Sequence, residues 1–146
     1  MAAGPERSAP LPSLPIRLLL LANPEAGVAG RDLPDAEREA AEIMELGASR
    51  PQLLQVVRRS PRSAEQLSQV FAEGYDVVHF AGHTTDPDDV RGGWVLADGV
   101  PADPSVAVSA ATAPPILVFA NACSSSPGAR GGASADAARS LIRAGA

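Results

Sequence analysis

Residues 75–83 read Tyr-Asp-Val-Val-His-Phe-Ala-Gly-His, and no other stretch constrains the architecture as tightly. Val77, Val78, Phe80 and Ala81 fall on both parities of an extended chain, so a strand here must be covered on both faces. The pattern predicts a strand over Tyr75–Ala81, with His83 just past its end. Residues 116–123 (Ile-Leu-Val-Phe-Ala-Asn-Ala-Cys) repeat the design. They predict a strand over Ile116–Ala120, with Cys123 just past its end. Two further apolar runs, Ile16–Ala22 (closed by Asn23-Pro24) and Leu53–Val57, read as strands of the same buried kind.

Helical segments separate these strands. Asp32 is placed to cap a helix that runs to about Leu46 and is ended by Gly47, with Leu33, Ala36, Ala40, Ile43 and Met44 on one stripe. Ser63 and Gln66 form a capping-box pattern ahead of Leu67, Val70 and Phe71. Asp103–Ala111 reads as a short helix and Ser134–Ala144 as a last one. Trp94–Leu96 followed by Asp98-Gly99 predicts a small hairpin. Strands alternating with helices imply an α/β fold, a three-layer α/β/α sandwich around a mostly parallel sheet. Residues 1–15, with Pro5, Pro10, Pro12 and Pro15, read as a disordered Pro-rich arm ahead of one domain over residues 16–146. In such sheets the chemistry gathers at the carboxyl ends of the strands, here segments 23–31, 82–93 and 121–132.

Composition narrows the function. The chain has 146 residues, 45% hydrophobic and 20% charged, with a net charge of −5. An acidic balance argues against a phosphate-gripping nucleic-acid binder and against an anionic membrane surface. Aromatics are 3%, so the core is built from aliphatic side chains. The twelve basic residues are all Arg, and Gly contributes 13 residues and Pro 14, which predicts many turns. A single cysteine excludes an internal disulfide framework and fits a reducing, cytoplasmic setting. No apolar run approaches the ~20 residues of a membrane span.

His83 and Cys123 stand out by position. If their strands are neighbours, both side chains leave the same edge of the sheet. An imidazole beside a thiol makes an activated nucleophile, because the imidazolium stabilises the thiolate. The plain alternatives are a buried structural cysteine and a structural histidine.

The two blocks ending in His83 and Cys123 resemble those of the CHAT family, caspase-like cysteine peptidases related to caspases, separases and legumains. Ile16–Glu25 (IRLLLLANPE) is similar to the family's first strand and turn, and Leu33–Ile43 to its acidic first helix. Trp94–Gly99 resembles its hairpin, and Ala137–Ala146 the helix after the cysteine. The resemblance covers residues 16–146 and implies a caspase-like fold and a cysteine endopeptidase acting on a protein or peptide, without a cofactor or metal. His83 would be the base and imidazolium partner and Cys123 the nucleophile. The backbone N–H groups of Thr84 and Cys123 would line an oxyanion hole. Thr84 replaces the family's usual glycine, and the family's further strand is absent from these residues. The expectation is therefore the amino-terminal portion of a larger catalytic domain, completed by a partner chain or a missing carboxyl-terminal half. Two other readings stay open: a catalytically inactive CHAT-like module acting as an interaction or signalling platform, and a flavodoxin-like binding domain with a structural cysteine.

The remaining polar residues have plainer readings. His79 shares a strand face with Val77 and Ala81 and reads as a core histidine. It and His83 lie about 13 Å apart on a strand, too far to share a metal. Asp86, Asp88 and Asp89 form a solvated acidic loop, or an acidic lip or weak calcium site. Ser124–Gly132 is a Gly-rich rim without Walker spacing or GxSxG context. Arg130 within it is placed to be cut by a protease.

Overall fold

The computed structural model describes residues 11–85 and 93–124, the last two by their backbone. The elements are β1 (Ile16–Ala22), α1 (Pro34–Ser49), β2 (Leu54–Arg58), α2 (Ala64–Ala72), β3 (Val77–Thr84), β4 (Trp94–Val95), β5 (Pro101–Ala102), α3 (Pro104–Ala110) and β6 (Leu117–Ser124), with a single 3₁₀ turn at Ala97–Gly99. β2, β1, β3 and β6 lie side by side and parallel. The β4–β5 hairpin continues the sheet antiparallel from the end of β3. The chain is thus the expected α/β fold around a mostly parallel sheet.

Alternation along the strands separates two cores. Leu19, Leu21, Val78 and Phe80 pack with Leu67, Val70 and Phe71 of α2 and with Ala107 and Val108 of α3. Leu20, Ala22 and Ala81 pack with Ala36, Ala40 and Ile43 of α1. Arg58 of β2 ties α1 to the sheet by gripping both carboxylate oxygens of Glu37 at 2.6 and 2.7 Å. That guanidinium holds the Glu37 carboxyl below the usual carboxylate range.

Two helix signals are corrected. Asp32 does not cap α1: its carboxylate accepts from the Asn23 amide, and Pro34 begins the helix after Leu33. Gly47 does not end α1, which runs on to Ser49. It is buried where the helix meets β2, and a Cβ there would lie 2.6 Å from a methyl of Val56. This glycine serves close packing instead of termination. The Ser63–Gln66 box forms with a shift: Ser63 accepts from the Gln66 N–H, while Gln66 accepts from the N–H of Arg62. The short helix expected over Asp103–Ala111 forms as α3, and Asp103 caps it, accepting from the Ser105 N–H. The hairpin turns at Asp98-Gly99, both at positive φ (63° and 72°), and closes with the Leu96 N–H on the Val100 carbonyl. The predicted helix over Ser134–Ala144 and residues 1–10 of the arm lie outside the described residues.

Candidate active site

β3 and β6 pair in parallel from Val77↔Leu117 through His83↔Cys123 to Thr84↔Ser124. Both strands therefore run past the ends expected for them, and His83 and Cys123 are the next-to-last rung of the ladder rather than loop residues. The reason lies in the neighbours. β1 stops at Ala22, opposite Ala81, but β6 keeps its pairing and Trp94 of β4 takes up Thr84. Register partners on adjacent parallel strands share a face. Positions 83 and 123 thus belong together to the face that carries α1, at the carboxyl edge of the sheet.

Gly82 explains the residue before the histidine. A Cβ there would lie 2.8 Å from the Phe80 ring and 3.1 Å from Pro24. Phe80 stacks on Trp94 with ring centroids 4.2 Å apart. The missing side chain lets the aromatic pair and the Asn23-Pro24 turn close beneath the end of β3.

The His83 ring is buried, and its Nε2 lies 2.9 Å from the carbonyl oxygen of Arg31. A carbonyl only accepts, so Nε2 carries the hydrogen and the neutral ring keeps its lone pair on Nδ1. Among the described residues Nδ1 has no hydrogen-bond partner. A buried basic nitrogen left unsatisfied is costly in a purely structural histidine, and it is the atom a general base needs. Arg31 is 52 residues away in sequence, and the acceptor is main chain. No side-chain motif could have revealed it.

Arg31 belongs to a loop closed by its own contacts. Asn23, at φ 46°, accepts from the Leu33 N–H and donates to Asp32. The Val28 carbonyl accepts from the N–H groups of Arg31 and Asp32. Glu25, 5% exposed, meets the Arg31 guanidinium at 2.9–3.1 Å. Sequence reasoning named segment 23–31 for its position but assigned neither Glu25 nor Arg31 a role.

His79 is a core residue. Its ring stacks on Phe119 with centroids 5.0 Å apart, and Nε2 lies 3.4 Å from Glu39 of α1 without hydrogen-bond geometry. Asn121 also donates to Glu39, at 3.2 Å. Burial pushes the His79 pKa down, and the Glu39 carboxylate opposes the shift only in part. Thr84 is buried on the opposite face, and among the described residues its hydroxyl has no hydrogen-bond partner. Asp86, Asp88 and Asp89, and residues 125–132 of the Gly-rich segment with Arg130, lie outside the described residues. Among the described residues no helix is long and apolar enough to cross a membrane.

Comparison with known proteins gives one result. The family model of the CHAT domain matches residues 2–146. No curated protein and no solved structure matches the chain.

Proposed function

The chain belongs to the CHAT domain family, which is related to caspase-like peptidases, and on that footing we propose that it is a cysteine endopeptidase working through His83 and Cys123. The observation that carries this reading is the pairing of position 123 with a histidine whose Nε2 is tied to a carbonyl and whose Nδ1 is unpartnered among the described residues. Nδ1 takes the thiol proton, and the resulting imidazolium, held by the Arg31 carbonyl, stabilises the thiolate. The thiolate attacks a peptide carbonyl carbon. The carbonyl π-bond electrons move to oxygen, and that charge is stabilised by the N–H groups of Thr84 and Cys123 once they are released from the β3–β6 ladder. The tetrahedral intermediate collapses, the C–N bond breaks, and the imidazolium protonates the leaving amine. Water then hydrolyses the thioester, with His83 taking its proton and returning it to the cysteine sulfur. The single cysteine fits a cytoplasmic setting for this chemistry.

A second reading has its own support. On the outer strand β6, Leu117 and Phe119 are about half exposed, and among the described residues no strand pairs with its far edge. An apolar strand edge invites pairing with another chain or a further segment, as an interaction platform would.

Cys123 alkylation, followed by intact mass against pH, separates the two. The peptidase reading expects a thiolate that titrates well below ~8.5 and loses that depression in His83→Ala. It also expects peptide cleavage that disappears in Cys123→Ala. An ordinary thiol in both proteins, or cleavage that survives Cys123→Ala, rejects it and favours the platform.

A further inference from the structure

Glu25 is buried, and the only group that compensates its charge among the described residues is the Arg31 guanidinium. Burying a carboxylate is unfavourable unless it is paired and hydrogen-bonded. Arg31 does both, with Nε and one terminal nitrogen on the carboxylate, the strong and directional form of this contact. The pair closes a six-residue step of chain, and its backbone runs parallel to it: Val28 donates to the Glu25 carbonyl, and Arg31 donates to the Val28 carbonyl. Next along, the Arg31 carbonyl accepts from His83. The hairpin turn lies near the same carboxylate: a Cβ on Gly99 would be 3.6 Å from Oε1 of Glu25.

We propose that the Glu25–Arg31 ion pair positions His83, by fixing the Arg31 peptide so that its carbonyl selects the Nε2–H tautomer and leaves Nδ1 as the base. The inference rests on the dyad reading for its consequence at Cys123, but not for its consequence at the imidazole. A loop without the pair keeps the same carbonyl, since every residue type has one. What it loses is the constraint on where that carbonyl points. Glu25 and Arg31 are positioning residues: neither touches the reacting atoms.

The test uses the whole chain, labelled with ¹⁵N at histidine. With only two histidines, His79→Gln assigns the spectrum. At a pH where the ring is neutral, wild type is expected to show His83 as a single Nε2–H tautomer. In Glu25→Gln and in Arg31→Ala that signal should become a tautomer mixture, and Cys123 alkylation at neutral pH should fall to the rate of His83→Ala. Glu25→Asp, which keeps the charge, should retain most of the tautomer preference. The double exchange Glu25→Arg with Arg31→Glu should restore it, because the acceptor is main chain. A purely structural role would lower the melting temperature without moving the tautomer. An unchanged tautomer in folded Glu25→Gln and Arg31→Ala overturns the proposal, as does a double exchange that folds but remains a mixture. Failure of the dyad reading looks different: alkylation in wild type would be indifferent to His83→Ala, whatever the tautomer does.

Discussion

Along β3, the even positions Val78 and Phe80 enter a continuous apolar core with Leu19, Leu21, Leu67, Phe71 and Trp94. The odd positions His79 and His83 belong to the α1 face, where the apolar cluster is small and rich in alanine. That face also gathers Glu39, Asn121 and position 123. One strand therefore serves two unlike surroundings through its pleat alone. The large side chains are spent on one face, and the small ones on the other leave room for polar groups near the backbone. Apolar packing and the polar groups of the candidate site are separated by a single residue step, and the register to β6 carries both at once.

This contrast predicts a graded series. Phe80→Ala, on the apolar face, is expected to cost ~3–5 kcal/mol in chemical denaturation, since a fully buried ring stacked on Trp94 leaves a cavity. Gly82→Ala should cost about 1–3 kcal/mol, because the new methyl forces the Phe80 ring and Pro24 aside. Asn23→Ala strips the Leu33 N–H and the Asp32 carboxylate of their partner, with an expected loss of about 1–3 kcal/mol. A loss from Phe80→Ala no larger than that from Asn23→Ala would remove the distinction between the two faces. At the other end, Asp35→Asn breaks an exposed ion pair with Arg38 and should change stability by less than ~1 kcal/mol.

The faces should also answer pH in opposite directions. Burial lowers the His79 pKa. The unfolded chain then binds a proton that the folded one refuses. Stability from this group is therefore present above the unfolded value of ~6.5 and falls as the pH drops below it. His79→Gln should flatten that acid limb. On the apolar face Tyr75 is pushed up to about 12, by burial and by its hydrogen bond to Glu73. Its contribution is fully present below the unfolded value of ~10 and is lost as the pH rises from there towards 12. Tyr75→Phe should flatten the alkaline limb, read by denaturation at successive pH values.

Much of this was legible in the sequence. β1 matches its predicted span, α2 and the Asp98-Gly99 hairpin form where their capping and turn residues place them, and α3 lies within its predicted span. The errors share a cause: they are decisions made by distant neighbours. Gly47 reads as a stop until Val56 lies against it. His83 and Cys123 read as loop residues until each strand is found to hold the other in the ladder. Asp32 reads as a cap until Asn23 competes for it. The pairing of positions 83 and 123 was visible as two similar blocks. The group that orients the histidine was not, because a peptide carbonyl is present at every position.

That last point has a consequence for descent. A lineage that exchanges the residue at position 31 keeps an acceptor for the imidazole, because the carbonyl is inherited with the chain, but loses the guanidinium that holds that carbonyl in place. The mark of the contact would therefore not lie on the acceptor atom itself. The trace would fall instead on whatever keeps the loop in shape, the amide of Asn23 and the salt link between Glu25 and Arg31. A comparison of variants should look for correlated change there, and should expect the contact to outlast the identity of the residue that makes it.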